Sequence, residues 1–96
     1  SAGDSVGQVN KLAPFVQVGA FGREASALAM QKRVQSVVQS HPVFVGRAPH
    51  HDGEIFRVRV GPFSSQQEAE RVRLRLDQAG IGKPLIITRS LQARHR

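Results

Sequence analysis

Apolar and polar residues alternate at Val16-Gln17-Val18 and again at Phe56-Arg57-Val58-Arg59-Val60. A period of two rich in β-branched residues predicts two strands, each with one buried face. Both runs stop at a glycine, Gly19 and Gly61, and the spacing of apolar residues then changes. Ala27, Met30, Val34, Val37 and Val38 fall on one helical stripe, and Ala69, Val72, Leu76 and Ala79 on another. Ser65 with Glu68 three residues later reads as a capping box, and Gly80 with Gly82-Lys83-Pro84 ends that second helix. The first helix has a weaker start at Gly22 and Glu24 and is stopped by His41-Pro42. Val43-Phe44-Val45 and Leu85-Ile86-Ile87-Thr88 are short apolar strands, and Ala48-Pro49-His50-His51-Asp52-Gly53 carries the Pro, Asp and Gly of a hairpin loop.

The two halves are copies. V-x-V-G-x-F occurs at Val16 to Phe21 and at Val58 to Phe63, forty-two positions apart, and the offset continues without a gap through Arg33 and Arg75 to Pro42 and Pro84. Each copy is a strand, a helix and a strand. The expected class is therefore α+β, a duplicated β-α-β with order β-α-β-β-α-β, ferredoxin-like, forming a four-stranded antiparallel sheet with both helices on one face. Right-handed crossovers place the first strand of each copy centrally, and these two strands are expected to run parallel. The packed part is expected over residues 14–89, between a polar linker at 1–13 and a basic tail at 90–96.

With both helices on one face, the other face of the sheet is open, and strand parity sorts the residues. If Val16, Val18, Val58 and Val60 face the helices, then Gln17, Gly19, Ile55, Arg57 and Arg59 face the open side. Phe15 shares the parity of Gln17, Phe56 points inward, and Ala20 and Phe21 follow at the strand end. Glutamine offers donors and an acceptor, arginine a planar fork for carboxylate or phosphate, and Gly19 an approach to the backbone. Solubility alone would select polar residues here. It would not select Ile55, nor leave the face without a covering helix.

Fourteen Lys and Arg against seven Asp and Glu give a net charge of +7, which makes nucleic acid the second reading. RNA-binding sheets stack bases on aromatic residues of the two central strands, where this chain carries Gln17, Arg57 and Arg59. Catalysis finds no nucleophile with a base and no converging acids: Glu24 and Glu68 suit helix starts, and the other acids fall on turns, helix surfaces or the tail. No metal and no cofactor are expected. His50-His51-Asp52 lacks metal-ligand spacing, and His41 and His95 read as ordinary surface histidines. There is no cysteine and no run of about twenty apolar residues for a membrane span. A chain opening at Ser1 with a polar lead-in reads as a domain from a longer protein.

Phe15-Val16-Gln17-Val18-Gly19-Ala20-Phe21, the block Phe56 to Phe63, the Ala69-Glu70 pair and the Ala79-Gly80 ending, in this order, closely resemble the SPOR domain, the sporulation-related repeat of bacterial envelope and division proteins. The resemblance covers about residues 14–89. It implies a non-catalytic, monomeric module that binds peptidoglycan on the open sheet face and prefers denuded glycan strands of GlcNAc and MurNAc, which lack stem peptides. It further implies a periplasmic location at the division septum, and a parent such as a lytic transglycosylase, anchored to the outer membrane as a lipoprotein. Carried over by position, the family's binding glutamine falls on Gln17, its arginine on Arg57 and a bulky neighbour on Ile55. Gly19, Ala20, Phe21 and Arg59 complete the expected glycan site. Family members often carry serine where this chain has Ala20 and an aromatic where it has Ile55.

Overall fold

A computed structural model describes residues 12–91. The rest of the polar lead-in and of the basic tail, with Asp4, Arg94, His95 and Arg96, lies outside the described residues. Six elements follow the expected order: β1 (Leu12–Phe21), α1 (Glu24–Val37), β2 (Val43–His50), β3 (Gly53–Val60), α2 (Gln66–Gln78) and β4 (Leu85–Ser90). Leu12 pairs with Ser90 and Ala13 with Arg89, so the ladder runs past the expected limits of 14 and 89.

The four strands form one sheet in the order β2-β3-β1-β4. Every neighbouring pair is antiparallel, including β1 and β3. The first strands of the copies are thus central as expected but not parallel. Each β-α-β unit crosses over one intervening strand, which leaves β1 and β2 pointing the same way; the β2–β3 hairpin then reverses the chain.

Val16, Val18, Val58 and Val60 are fully enclosed together with Ala27 and Val34 of α1 and Ala69 and Leu76 of α2. Each buried valine or leucine here contributes about 1.5–3 kcal/mol, which makes this layer the main source of stability. Among the described residues no polar or charged side chain is buried. The repeat-equivalent Ala27 and Ala69, both without exposed surface, keep the helices close to the sheet.

The ends of α2 explain themselves locally. The Ser65 hydroxyl accepts the Glu68 N–H at 3.1 Å, as a capping residue should. The Glu68 carboxylate takes the N–H and hydroxyl of Ser64, at 3.0 and 2.8 Å, instead of the Ser65 N–H of a regular box. At the far end Gly80, with φ of 70°, and Ile81 donate to the carbonyls of Asp77 and Leu76, a Schellman ending. The chain therefore leaves the helical stripe at Ala79, which is exposed, and Ile81 fills the core in its place. In α1 the N-cap is Arg23, with no side-chain cap.

The expected six-residue hairpin loop tightens to His51-Asp52, because pairing continues from Ala48 with Ile55 to His50 with Gly53. Pro49 is tolerated since β2 is an edge strand. Two further departures from the repeat matter more. β1 bulges: Gln17 pairs with Arg59 and Gly19 with Val58, so Val18 is an extra residue. The carbonyl of Val18 is satisfied by the Lys83 N–H at 3.0 Å, across a loop that Gly82 (φ 60°) presses against Val18.

β4 is also displaced by one residue. An unbroken repeat would turn the Val43–Val60 pairing into Leu85–Val18, whereas Leu85 pairs with Gln17. A slip of one residue exchanges the two faces of a strand. Ile86 consequently packs on the core, and Leu85, Ile87 and Arg89 share the face of Gln17 and Phe15.

Candidate functional site

Cross-strand partners share a face, so the registers lay out the open side row by row. One row runs across all four strands as Phe44, Arg59, Gln17 and Leu85. The next holds Gly46, Arg57 and Ala20, and the next Ala48 and Ile55. In the opposite direction lie Phe15 with Ile87 and Ala13 with Arg89. Of the residues expected on this face, Gln17, Ala20, Ile55, Arg57 and Arg59 are brought together there.

Gly19 and Phe21 are not. The bulge at Val18 inverts the parity of everything after it, so Gly19 opposes the core residue Val58 and Phe21 opposes Phe56. A Cβ on Gly19 would lie 3.1 Å from the Phe21 ring, which itself packs against the core. Gly19 therefore makes room for Phe21 on the helix side rather than for a ligand on the open side.

At the centre, Arg59 Nε donates to Gln17 Oε1 at 2.9 Å. The two occupy equivalent positions of the repeat and meet where the copies join. The contact ties the two side chains together through Arg59 Nε and Gln17 Oε1 and does not use the Gln17 amide N–H groups or the terminal nitrogens of Arg59.

Sequence reasoning missed Phe44, Gly46 and Arg89. Phe15 is only 6% exposed although it stands on the open face. Its cover comes from Phe44, whose ring meets it edge-on with centroids 6.0 Å apart. The contact reaches across β3 because Gly61 (φ 135°) has no side chain; a Cβ there would be 2.9 Å from the Phe15 ring. Phe44 remains 37% exposed. Beside it a groove of about 470 Å³ is lined by Phe15 and Phe44, by the small residues Gly46 and Ala48, and by Arg57, Arg59 and Arg89. Arg47 and Ser90 complete the lining, and no acidic residue contributes to it. Arg47 is drawn elsewhere, to Glu54 at 3.5 Å and over the Phe56 ring. Arginine stays charged at any physiological pH, so the groove is a cationic trough with an apolar wall.

A family model of the SPOR domain matches residues 13–88. The chain belongs to the SPOR family. It is 29% identical over 73 residues to the endolytic peptidoglycan transglycosylase RlpA of two Pseudomonas aeruginosa strains, a match that spans 76% of this chain and 21% of the relative. The chain thus spans about a fifth of the length of these curated relatives. The crystal structure of the RlpA SPOR domain from Pseudomonas aeruginosa superposes with a TM-score of 0.72 at 28% identity, covering 77% of this chain and 96% of that one. The solution structure of the peptidoglycan binding domain of the B. subtilis cell wall lytic enzyme CwlC gives 0.66 at 26% identity, covering 83% and 92%. Both share the two helices and four-stranded antiparallel sheet.

Away from the open face, this SPOR domain holds one polar cluster that sequence reasoning did not foresee. His41, read as an ordinary surface histidine, has Nε2 2.9 Å from Glu68 Oε2 and its ring 4.7 Å from that of Phe63. The hydrogen bond from His41, reinforced by those from Ser64, holds the Glu68 carboxyl down at about 2. The cluster joins the turn before β2 to the start of α2, twenty-seven residues apart. At the hairpin tip the His50 and His51 rings meet edge-on at 4.3 Å, and no group of three His, Cys, Asp or Glu converges among the described residues. No described helix is long and apolar enough to cross a membrane.

Proposed function

We propose that this SPOR domain is a non-catalytic peptidoglycan-binding module that takes glycan strands on the open face of its sheet and prefers strands stripped of stem peptides. The observation that carries the reading is the central row, where Arg59 and Gln17 hold each other in place with Arg57 and Ile55 beside them. Bare glycan retains the lactyl carboxylate of N-acetylmuramic acid, for which a guanidinium fork is the natural partner, while the glutamine amide suits acetamido groups. A broad, shallow face approaches a sugar chain closely only where no peptide branch intervenes, which gives the preference a steric origin. The likeness to RlpA and CwlC domains supports the peptidoglycan class of ligand.

In this reading the module addresses a longer periplasmic protein to denuded septal glycan. A parent of the RlpA kind, anchored to the outer membrane as a lipoprotein, would have its cleaving domain held near substrate through raised local concentration. The test is co-sedimentation with purified sacculi before and after amidase removal of stem peptides, with Gln17→Ala and Arg57→Ala alongside. Binding should rise on denuding and fall in both variants; equal binding to both sacculi rejects the preference. One observation favours a second reading, nucleic acid: the partly exposed ring of Phe44 stands among arginines on the open face. Binding that ignores denuding and collapses with modest salt would move the assignment there.

A further inference from the structure

The sheet ends in two edge strands, β2 and β4, and they are finished differently. The 3.1 Å bond from the Gly61 N–H to the Pro42 carbonyl sets the phase of the β2–β3 ladder, so the main-chain groups of Val43, Val45, Arg47 and Pro49 point away from the sheet. This edge is blunted: the Gln31 side chain donates to the Val43 carbonyl at 2.8 Å, and Pro49 has no N–H to offer. β4 has neither device. The Phe63 N–H donates to the Pro14 carbonyl at 2.9 Å, which turns the main chain of Pro14 away from β4. Thr88, opposite Pro14, and Ile86 therefore point their N–H and C=O groups outward, where they meet no partner among the described residues. The repeat counterparts of Gln31 and Pro49 are Arg73, held by Glu70 on its own helix, and Leu91. Along this open edge Leu85 is 48% exposed, Ile87 half-buried and Arg89 exposed. No acid follows Asp77 in the sequence, whereas Lys83 and Arg89 bracket the strand.

We propose that the outer edge of β4 is a docking site for an extended acidic and apolar segment of a partner protein, added to the sheet as a further antiparallel strand. Its main chain pairs with Ile86 and Thr88. At the alternate positions, where the side chains of antiparallel strands stand closest, it sets apolar residues against Leu85 and Ile87 and a carboxylate against Arg89. Charge selects this occupant over a second copy: two domains of net charge +7, each with Lys83 and Arg89 at this edge, would repel. The site is the edge of the sheet and not its face, and it does not depend on the glycan reading.

The experiment is NMR of the domain with a short capped synthetic peptide carrying one glutamate and two valines at alternate positions, with threonines between. The Ile86 and Thr88 amides should exchange rapidly with deuterium in the free domain and become protected on binding. Replacing the glutamate by lysine, or N-methylating an edge-facing amide of the peptide, should each weaken binding about fivefold, the worth of one cross-strand pair or one main-chain hydrogen bond. Arg89→Glu should reverse the preference toward the lysine peptide. Thr88→Pro, which removes an outward N–H without touching the ladder to β1, should weaken both peptides; Arg89→Glu decides the matter should that variant fail to fold. No binding, equal binding of the N-methylated peptide, an unchanged preference in Arg89→Glu, or Ile86 and Thr88 amides already protected in the free domain overturns the site. Protection that grows with domain concentration in the absence of peptide also overturns it and assigns the edge to a second copy.

Discussion

Gly80 and Gly82 form a matched pair for testing how β4 is held. Both adopt left-handed backbone, with φ of 70° and 60°. A Cβ on Gly80 meets nothing within 4 Å, whereas one on Gly82 would lie 2.6 Å from both the carbonyl oxygen and Cγ1 of Val18. The left-handed conformation costs a non-glycine residue about 1–2 kcal/mol, and the stiffer unfolded chain returns about 0.4–1 kcal/mol, so Gly80→Ala should destabilise by about 1 kcal/mol. Gly82→Ala carries that cost and also collides with a backbone acceptor. Relieving the collision means loosening the 3.0 Å bond from Lys83 N–H to the bulge carbonyl, which adds about 1–3 kcal/mol. Thermal unfolding reads the difference: about 4–8 °C lost for Gly80→Ala against about 10–25 °C for Gly82→Ala. Equal losses in the two variants would refute the idea that the loop is docked on the bulge.

Three more outcomes are expected. Glu68 titrates at about 2 when folded, below its ordinary 4.5, so its contribution to stability is present above about 4.5 and is lost as pH falls toward 2. Glu68→Gln should flatten the acid limb of stability between those values, as read by urea midpoints across pH, and an unchanged limb would place the acid sensitivity elsewhere. Leu85→Asp should be nearly neutral, whereas Ile86→Asp should cost about 3 kcal/mol or more in denaturant unfolding, because the displaced register puts only Ile86 on the core; the reverse order would restore the register of the repeat. A double-mutant cycle on Gln17→Ala and Arg59→Ala should give a coupling of about 0.5–1.5 kcal/mol in stability, and additivity would mean that the 2.9 Å bond does not hold in solution.

The elements and the layer order were readable because the repeat and the two periodicities agree: Val16 and Val58 alternate as strands must, and Ala27 and Ala69 open stripes that reach the core. Parity then placed Gln17, Ile55, Arg57 and Arg59 on the open face. It failed after Val18, since a bulge changes the count of residues without changing their types, and Gly19 and Phe21 crossed to the other side. Phe44 and Arg89 escaped notice for a related reason. Val43-Phe44-Val45 and Leu85-Ile86-Ile87 are apolar throughout, and such runs carry no parity signal. The His41–Glu68 contact joins two turns through tertiary packing, to which no local pattern points. The antiparallel direction of β1 and β3, by contrast, follows from the element order alone once the hairpin reversal is counted.

The one-residue displacement of β4 also changes what the internal alignment means. Forty-two positions of offset pair Arg47 with Arg89 and Val43 with Leu85, as though each did the work of its twin. In the fold the twins sit on opposite sides of the sheet: one arginine and one valine look toward the helices, and the other arginine and the leucine toward solvent. Equivalence of position in the repeat and equivalence of role have parted company in the second strand of each copy, while Gln17 and Arg59 in the first strands have kept both. A profile built by averaging the two halves would therefore blend surface with interior, and each half has its own vocabulary of tolerated substitutions.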